Sequence, residues 1–374
     1  MALKNEAQST VKNTKTFYKA YVSGMTRERL GREFSADSNR LKQLYKEATG
    51  EEDEAVTGQP IPAHIKVLRL FSSLGQRLNP TRRLVFGVSV IAFLIHGLFS
   101  GLFADMLQLV SFLGLMMLLM IELLEKADAK REIDLAREIQ LSLLPASKHS
   151  IGNLEIQSFA NTAQEVGGDY VDIVTTDSGT YLIIADVAGK GLSAALYMVR
   201  LQAMVHLLIE KHSPSPKELF VELNNYIKSD KEDKTFVTAC AAFFPKEGGY
   251  FNFARAGQNP PIYYNRKKDS THQLRSNGFA LGMTSSEQMS EFLTEERYSF
   301  NKGDSILFYT DGLTEARNDM DQEFGLERLN SIMDIFGSLH AQSIVLKIQS
   351  SLESFIGKES PTDDITYTCV HVKE

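Results

Sequence analysis

Short runs rich in β-branched and aromatic residues follow one another from about residue 150, each bounded by Gly, Asp, Asn or Pro. This pattern predicts strands. Longer helical patterns lie near 191–212, 215–229, 323–336 and 340–356. Because strands come in groups and helices in groups, the pattern favours an α+β layered fold with antiparallel sheets over a doubly wound fold. The predicted strands are LEIQSFA, DYVDIVTT, TYLIIADV, TFVTACAAFF, YFNFARAG, PIYYN, DSILFYTD and DITYTCVHV.

A second pattern, almost free of charge, covers residues 84–124. Two apolar stretches, 84–103 and 106–121, meet at Ala104-Asp105. The first has the roughly 20 residues that a membrane-spanning helix needs, and the second is slightly short. The segment therefore predicts a two-helix transmembrane hairpin over residues 84–123. A helical hairpin buried in a soluble core, or forming a dimer interface, is the alternative.

Basic residues flank this hairpin on both sides and are absent from its turn. Arg82 and Arg83 precede it, and Lys126, Lys130 and Arg131 follow it. Basic loops favour the cytoplasmic side of a membrane. We therefore expect a multi-pass protein of the inner (cytoplasmic) membrane, with both the N-terminal region and the C-terminal domain in the cytoplasm.

The regions on either side of the hairpin are predicted to be helical. Residues 1–82 are polar and include the helix-compatible runs TRERLGREF and DSNRLKQLYKEATG, with no apolar core of the signal-peptide type. Residues 124–145 form a linker helix that stops before Pro145. A 4-3-4-3 spacing within that helix could pair with a second chain or pack on the following domain, residues 146–374. The spaced residues are Ala129, Ile133, Ala136, Gln140 and Leu143.

Composition narrows the classes of function. The 374 residues are 43% hydrophobic and 23% charged, which indicates a folded protein with a real core. A net charge of −7 argues against a nucleic-acid partner bound through its phosphates. The two cysteines, Cys240 and Cys369, lie in apolar strand-like runs, so buried thiols are expected rather than a disulfide.

Several aspartates share one feature, a place at the edge of an apolar strand beside a turn. Each alone is typical of a turn or a helix cap. Together they suggest a carboxylate cluster, because strand ends in one sheet converge and like charges repel unless cations neutralise them. The aspartates are Asp169, Asp186, Asp311, Asp363 and Asp364.

Such a cluster, with no His or Cys ligand pattern nearby, suits the hard cations Mg²⁺ and Mn²⁺. Small neighbours such as Gly167, Gly168 and Gly312 would let backbone, water and metal approach closely. The chemistry that such a site favours is metal-assisted hydrolysis of a phosphate ester. A nucleotide-binding P-loop around Gly189-Lys190 is excluded, because the required glycine and the Ser or Thr after the lysine are both missing.

Six segments, in their order along the chain, resemble the SpoIIE/RsbU-type serine phosphatases of the metal-dependent PPM superfamily. The resemblance covers about residues 133–374 and does not extend to residues 1–120. The segments are AREIQLSLLP, EVGGDYVDI, ADVAGKGLSAALYM, ARAGQNPPIYY, LFYTDGLTEARN and DDITYTCV.

This resemblance implies an α-β-β-α sandwich with two antiparallel sheets and a site for two Mn²⁺ or Mg²⁺ ions at one edge. Asp169, Asp186, Asp311 and Asp363 match the ligand positions and would act in catalysis through the metal-bound water. The backbone carbonyl of Val187 matches a further ligand position. Asp364 is adjacent and is a candidate sixth ligand.

The resemblance also implies a substrate, a partner and a route of activation. The substrate would be phosphoserine or phosphothreonine on a STAS-type anti-sigma-factor antagonist in a partner-switching pathway. Activation would pass through the helices near 124–144, 191–212 and 215–229. Membrane lipid and a second copy of the chain, bound through the 124–145 helix, are the other expected partners. The alternative is a catalytically inactive, membrane-anchored binding module.

Two positions depart from the family pattern. Gln258 stands where members commonly carry histidine, and it can form hydrogen bonds but cannot titrate. Ala188 stands where eukaryotic PPM enzymes place a histidine. A general acid is therefore absent from that position, and water or another group would have to protonate the leaving group.

Overall fold

A computed structural model describes residues 61–229, 235–359 and 361–373, together with a few positions between 34 and 49. The chain divides into two compact units, residues 1–127 and 128–374. The two short helices predicted near the N-terminus, in TRERLGREF and DSNRLKQLYKEATG, fall largely outside the described residues.

The helices and strands alternate in groups, as the sequence predicts. The helices are α1 (Ala63–Gln76), α2 (Pro80–His96), α3 (Leu102–Leu143), α4 (Leu192–His212), α5 (Pro216–Ser229), α6 (Ser286–Phe292), α7 (Asp311–Glu315), α8 (Gly325–Phe336) and α9 (Ala341–Ile356). The strands are β1 (Lys148–Ile151), β2 (Leu154–Asn161), β3 (Asp169–Thr175), β4 (Gly179–Val187), β5 (Val237–Pro245), β6 (Tyr250–Ala256), β7 (Ile262–Asn265), β8 (Ser270–Gln273), β9 (Glu295–Ser299), β10 (Ser305–Tyr309) and β11 (Ile365–Val372).

The strands form two antiparallel sheets in the second unit. One has six strands in the order β1-β2-β11-β10-β7-β8, and the other has five in the order β3-β4-β5-β6-β9. Helices α4 and α5 cover the outer face of the five-stranded sheet, and α8 and α9 cover the outer face of the six-stranded sheet. A third apolar layer, drawn from both sheets, fills the space between them. The result is the α-β-β-α sandwich that the resemblance implied.

Strand β4 shows why the sequence folds into these layers. Successive side chains of a strand point to opposite faces. Tyr181 and Ile183 therefore pack under the helices, whereas Leu182 and Ile184 pack between the sheets. The same alternation carries Asp186 to the inter-sheet face at the end of the strand.

All eight predicted strands are present, but the pattern missed β1, β8 and β9. None of these three strands contains a buried residue. Each is also the last strand at an edge of its sheet. An edge strand with no buried face leaves no apolar signature in the sequence, so periodicity could not reveal it.

The hairpin turn lies elsewhere than predicted. The first helix ends at His96 and the second begins at Leu102, so the turn covers residues 97–101 rather than Ala104-Asp105. The turn residues Leu98 and Phe99 are apolar, so hydropathy does not mark the break. Asp105 lies in the first turn of α3, where the helix dipole stabilises a carboxylate.

Within the first unit, α2 and α3 approach each other through small residues. Ser89, Ala92 and Ser111 are buried, and a Cβ added at Gly114 would overlap the Ser89 hydroxyl. Close approach of this kind is typical of helices packed within a membrane. Near the start of α2, Arg82 joins the two helices through hydrogen bonds to both carboxylate oxygens of Glu125, near the middle of α3.

The outward surfaces of this hairpin are apolar and exposed, including Leu84, Leu98, Phe103, Phe112 and Met120. Among the described residues, two helices are long and apolar enough to cross a membrane, Leu102–Leu143 and Leu192–His212. The second is a core helix of the sandwich, with seven buried residues. The predicted first span is a helix of 17 residues, about 25 Å long.

The predicted linker helix, 124–145, is not a separate element. It is nearly the last half of the 42-residue helix α3, which ends at Leu143. Of the residues with 4-3-4-3 spacing, Gln140 is buried and Ile133, Ala136 and Leu143 are partly buried, whereas Ala129, Leu135 and Ile139 are exposed. The later spaced residues thus pack on their own domain, which is the alternative that the sequence left open. Pairing with a second chain stays a prediction.

Candidate metal centre

The five aspartates meet at one end of the sandwich. Strand β3 begins at Asp169 and β4 ends at Val187, and in their antiparallel register Asp169 lies directly opposite Asp186. Strand β10 ends just before Asp311, and β11 begins just after Asp364. Because β10 and β11 are also antiparallel neighbours, the end of one lies beside the start of the other.

A hydrogen bond joins the two sheets at this end. Thr310, the residue before Asp311, donates its hydroxyl to Asp169 Oδ2 at 2.8 Å. Thr310 is itself fixed to β11, because its N–H donates to the Thr366 carbonyl and its Oγ1 accepts from the Thr366 N–H. The first residue of β3 is thereby tied to the segment that carries Asp311.

Burial and neighbouring charge both act on the pKa values of these carboxyls. Burial raises the pKa of Asp169 well above its usual range, Asp186 raises it further, and the hydroxyls of Thr366 and Thr310 partly oppose this. Burial, followed by the charges of Asp311, Asp363 and Asp364, raises the pKa of Asp186 to about 7. The pKa of Asp311 is raised by burial and then by Asp363. The carboxyls therefore lie within electrostatic range of one another.

Asp363 and Asp364 have different partners. Asp363 Oδ2 lies 2.9 Å from the Lys190 ammonium. Both oxygens of Asp364 accept backbone N–H groups, from Ala163 at 2.8 Å and from Gly168 at 2.7 Å. Asp364 thus anchors the loop that leads into Asp169.

Glycines allow backbone and carboxylate atoms to approach closely at this end of the sandwich, as the sequence suggested. A Cβ at Gly167 would collide with the Asp364 carboxylate, and one at Gly168 would lie 2.9 Å from the Val187 carbonyl oxygen. A Cβ at Gly312 would overlap the carbonyl oxygen of Asp364. Here the missing side chains make room for neighbouring protein atoms.

The long helix α3 also contacts this loop. The side-chain amide of Gln140 donates to the Gly167 carbonyl at 2.6 Å and accepts from the Gly167 N–H at 3.1 Å. Both partners are buried, so the two bonds form away from water. The end of α3 therefore fixes the backbone two residues before Asp169.

Gln258 forms a second link between the sheets. Its amide nitrogen donates to the Tyr309 carbonyl at 3.1 Å, and its oxygen accepts from the Thr238 hydroxyl. Thr238 is the register partner of Asp186, and Tyr309 lies two residues before Asp311. Gln258 is buried, which fits a positioning role that needs no titratable ring.

The donor set fits hard divalent cations, because it offers carboxylate oxygens and a close backbone carbonyl, and because these carboxyls raise one another's pKa values. Among the residues that the structure describes, no group of three or more His, Cys, Asp or Glu side chains is so arranged that it could hold a metal ion as it stands. Lys190 occupies Asp363 and two amides occupy Asp364. An ion bound by Asp363 would compete with Lys190 for that carboxylate.

The fold gathers every predicted aspartate at the same end of the sandwich. It also places three residues there that the sequence reasoning did not assign: Thr310, Gln140 and Glu315. Burial and Asp311 raise the pKa of the Glu315 carboxyl, which shows that it belongs to the same electrostatic environment. Thr310 and Glu315 flank Asp311 within FYTDGLTEA, so closeness to that aspartate was the available signal.

Comparison with known proteins gives a consistent result. The family described as Stage II sporulation protein E (SpoIIE) matches residues 176–373. The phosphoserine phosphatase RsbU of Bacillus subtilis (strain 168) is 29% identical over 227 residues, which are 60% of this chain and 65% of RsbU. The chain therefore spans less than two thirds of the length of that relative.

Two solved structures share the fold. The SiaA-PP2C domain of Pseudomonas aeruginosa superposes with a TM-score of 0.57 at 20% identity, over 66% of this chain and 98% of that domain. A Mycobacterium tuberculosis structure of RsbU and RsbW domains gives a TM-score of 0.50 at 22% identity, over 59% of this chain and 60% of that one. Both likenesses identify the second unit as a PPM-type phosphatase fold.

Proposed function

The chain belongs to the SpoIIE family, and from this premise we propose that it is a metal-dependent protein phosphatase that hydrolyses phosphoserine and phosphothreonine. The observation that carries the proposal is the direct pairing of Asp169 with Asp186 at the end where Asp311, Asp363 and Asp364 also meet. Such a cluster is electrostatically costly without cations.

We propose that Asp169, Asp186, Asp311, Asp363 and the Val187 carbonyl hold two Mn²⁺ or Mg²⁺ ions. Ions of this kind supply a nucleophilic water at neutral pH and neutralise charge on a phosphoryl group. The remaining lone pairs of Asp364 could add to the ligand set, although its carboxylate already anchors Gly168.

The proposed role of the chain's other residues is to hold this geometry. Thr310 and Gln258 keep the aspartates of one sheet in register with those of the other. Gln140 holds the loop before Asp169. No histidine is available at position 188, so water or another group would protonate the leaving group.

The proposed substrate is a phosphorylated anti-sigma-factor antagonist of the STAS type, in a partner-switching pathway. Support comes from the similarity to RsbU and to a structure in which RsbU and RsbW domains occur together. A second copy of the chain, bound through α3, is a further proposed partner.

We propose that the hairpin tethers the protein to the inner membrane, with the N-terminal region and the phosphatase domain in the cytoplasm. Its exposed apolar surface and its internal contacts through Ser89 and Gly114 support this proposal. Arg82 lies at the open end of the hairpin, as expected of a basic residue on the cytoplasmic side.

The activity is tested with the full chain, purified in detergent and stripped of metal. Turnover of p-nitrophenyl phosphate and of a phosphoserine peptide is measured with Mn²⁺, Mg²⁺ or chelator. We expect metal-dependent hydrolysis that falls by orders of magnitude in Asp311→Asn, because this change removes a charge from the cluster while keeping size. Asp319→Asn, an exposed aspartate outside the cluster, is the matched control and should retain full activity.

Wild-type turnover in Asp311→Asn would remove that residue from the site. The alternative, an inactive binding module, is distinguished by calorimetry with Mn²⁺ on the same sample. Tight binding of Mn²⁺ that is weakened by Asp311→Asn supports an enzyme awaiting its activator. No binding of Mn²⁺ supports the inactive module.

The tether is tested by fractionation of cells that express the chain with and without residues 84–124. We expect the full chain in the membrane pellet, resistant to extraction with high salt, and the deletion variant in the supernatant. A deletion variant that stays equally membrane-bound would contradict the proposed tether.

A further inference from the structure

Lys190 is placed on the aspartate cluster rather than in open solvent. Its ammonium lies 2.9 Å from Asp363 Oδ2 and donates to the Thr362 carbonyl, also at 2.9 Å. The side chain nevertheless remains 54% exposed. It is therefore held in place and open to a ligand at the same time.

The backbone on both sides presents this lysine. Gly189 and Gly191 adopt φ angles of 117° and 70°, which residues with a side chain rarely adopt. No atom lies within 4 Å of a Cβ added at Gly189, so glycine is needed there for conformation and not for space. The Gly-Lys-Gly run is thus a tight turn that places one cation beside the carboxylates.

The electrostatic effect of Lys190 reaches several members of the cluster. It lowers the pKa values of Asp186 and Asp311, against the upward effects of burial and of the other carboxylates. In both aspartates Lys190 is the cation that opposes the rise in pKa. Lys190 is therefore a cation that this part of the chain provides at the site.

We propose that Lys190 binds the phosphoryl group of the substrate, and that its ion pair with Asp363 holds the ammonium ready for this task. The proposal rests on the function proposed above. A phosphate monoester carries about two negative charges at neutral pH, and the five carboxylates outnumber the positive charges of two divalent ions, so a further cation favours its binding. An ammonium at the mouth of the site supplies that positive charge and donates charge-assisted hydrogen bonds to phosphoryl oxygens.

The same contact explains how the lysine becomes available. A divalent ion held by Asp363 would offset the charge of that carboxylate and weaken its attraction for the ammonium. Lys190 would then keep its place on the turn and be free to pair with a phosphoryl oxygen. An exposed ion pair contributes little free energy, so exchanging the Asp363 contact for a phosphoryl oxygen costs little.

The test compares Lys190→Met with the wild type, using the full chain in detergent. Methionine keeps most of the length of the side chain and removes its charge. We expect the KM for a phosphoserine peptide, and the Kd for inorganic phosphate measured by calorimetry on the Mn²⁺-loaded protein, each to rise about tenfold or more, with kcat changed far less. The affinity for Mn²⁺ itself should be unchanged or higher, since a competing cation is gone. Lys190→Arg should restore most of the phosphate affinity.

Lys246→Met is the matched control, because Lys246 is exposed at the opposite end of the sandwich. An unchanged phosphate Kd and KM in Lys190→Met would overturn the proposal. So would a fall in melting temperature with no change in phosphate affinity, which would indicate a purely structural ion pair. Absence of phosphate binding to the wild type would overturn it as well. Absent turnover in the wild type would contradict the proposed phosphatase activity. It would not affect the test of Lys190, because calorimetry measures phosphate binding without turnover.

Discussion

Asp169 lies directly opposite Asp186 in the β3–β4 register, so two carboxylates are neighbours across an antiparallel pair. Like charges placed directly opposite each other destabilise a sheet. Burial raises the pKa of both groups. The charge of Asp186 raises the pKa of Asp169 further, and the charges of Asp311, Asp363 and Asp364 help to raise the pKa of Asp186 to about 7. Without bound metal, this end of the sandwich is therefore a site of electrostatic strain.

The first prediction concerns pH and stability in the absence of metal. Between about pH 4 and 7, folded Asp186 keeps a proton that the unfolded chain has released, so stability falls as the pH rises through this window. Above about pH 7 this loss in the free energy of unfolding is complete, and it is on the order of a few kcal/mol. We expect a lower melting temperature at pH 8 than at pH 5 in chelator, measured by circular dichroism.

Asp186→Asn should reduce this pH dependence, although Asp169 and Asp311 contribute in the same direction. Added Mn²⁺ should stabilise the protein more at pH 8 than at pH 5, because protons compete for the carboxylates at the lower pH. Equal melting temperatures at the two pH values in chelator would show that the carboxyls are not strained.

The second prediction concerns Gln140. Gln140→Leu leaves the buried N–H and carbonyl of Gly167 without partners, which should cost about 2 kcal/mol or more in stability. The loop before Asp169 should loosen, and both turnover and affinity for Mn²⁺ should fall. Melting temperature, calorimetry and turnover are compared with Glu138→Gln, an exposed change on the same helix. If Gln140→Leu bound Mn²⁺ with normal affinity, Gln140 would contribute to stability alone and not to the metal site.

The third prediction concerns Gln258. Gln258→Leu keeps a side chain of similar size but removes its polar amide, and with it the link between Thr238 and the Tyr309 carbonyl. We expect turnover to fall about tenfold and Mn²⁺ to bind more weakly, because the aspartates of the two sheets lose their shared alignment. Gln258→His, the residue that related enzymes commonly carry, should recover part of the loss. Equal losses in both variants would indicate that packing alone matters here.

The fourth prediction concerns Gly312. A methyl group at this position would overlap the Asp364 carbonyl oxygen, so Gly312→Ala should displace the backbone around Asp363 and Asp364. Stability should fall by about 1–3 kcal/mol, and turnover should fall with it. Gly87→Ala is the control, since no atom lies within 4 Å of a Cβ there. A fully active, equally stable Gly312→Ala would show that this backbone can shift without cost.

The sequence was sufficient where local pattern and burial coincide. The four long helices of the sandwich begin and end within about two residues of their predicted bounds, because each carries a continuous buried face. Cys240 and Cys369 are buried free thiols, as their apolar runs predicted. The aspartates could be found as well, since each follows or precedes an apolar strand at a turn.

Where the local sequence pattern carried no signal, the prediction of the turn was wrong and the prediction of helix packing stayed open. The hairpin turn contains Leu98 and Phe99, so nothing in its hydropathy distinguishes it from the helices on either side. The spacing in α3 was equally consistent with a partner chain or with the domain that follows. The tertiary contacts of Gln140 with Gly167 and of the Leu143 carbonyl with Gln202 show which way that face points.

By itself, the sequence determined the buried strands, the long helices of the sandwich, the fold class and the aspartates at strand ends, because side-chain periodicity and turn residues are local properties of the chain. Only the tertiary structure decided which carboxylates face each other and which polar groups hold them. Thr310 and Asp169 are 141 residues apart, yet one hydrogen bond joins them across two sheets. Such a contact depends on how the sheets pack, which is fixed by the buried surface of the whole domain and not by the residues on either side.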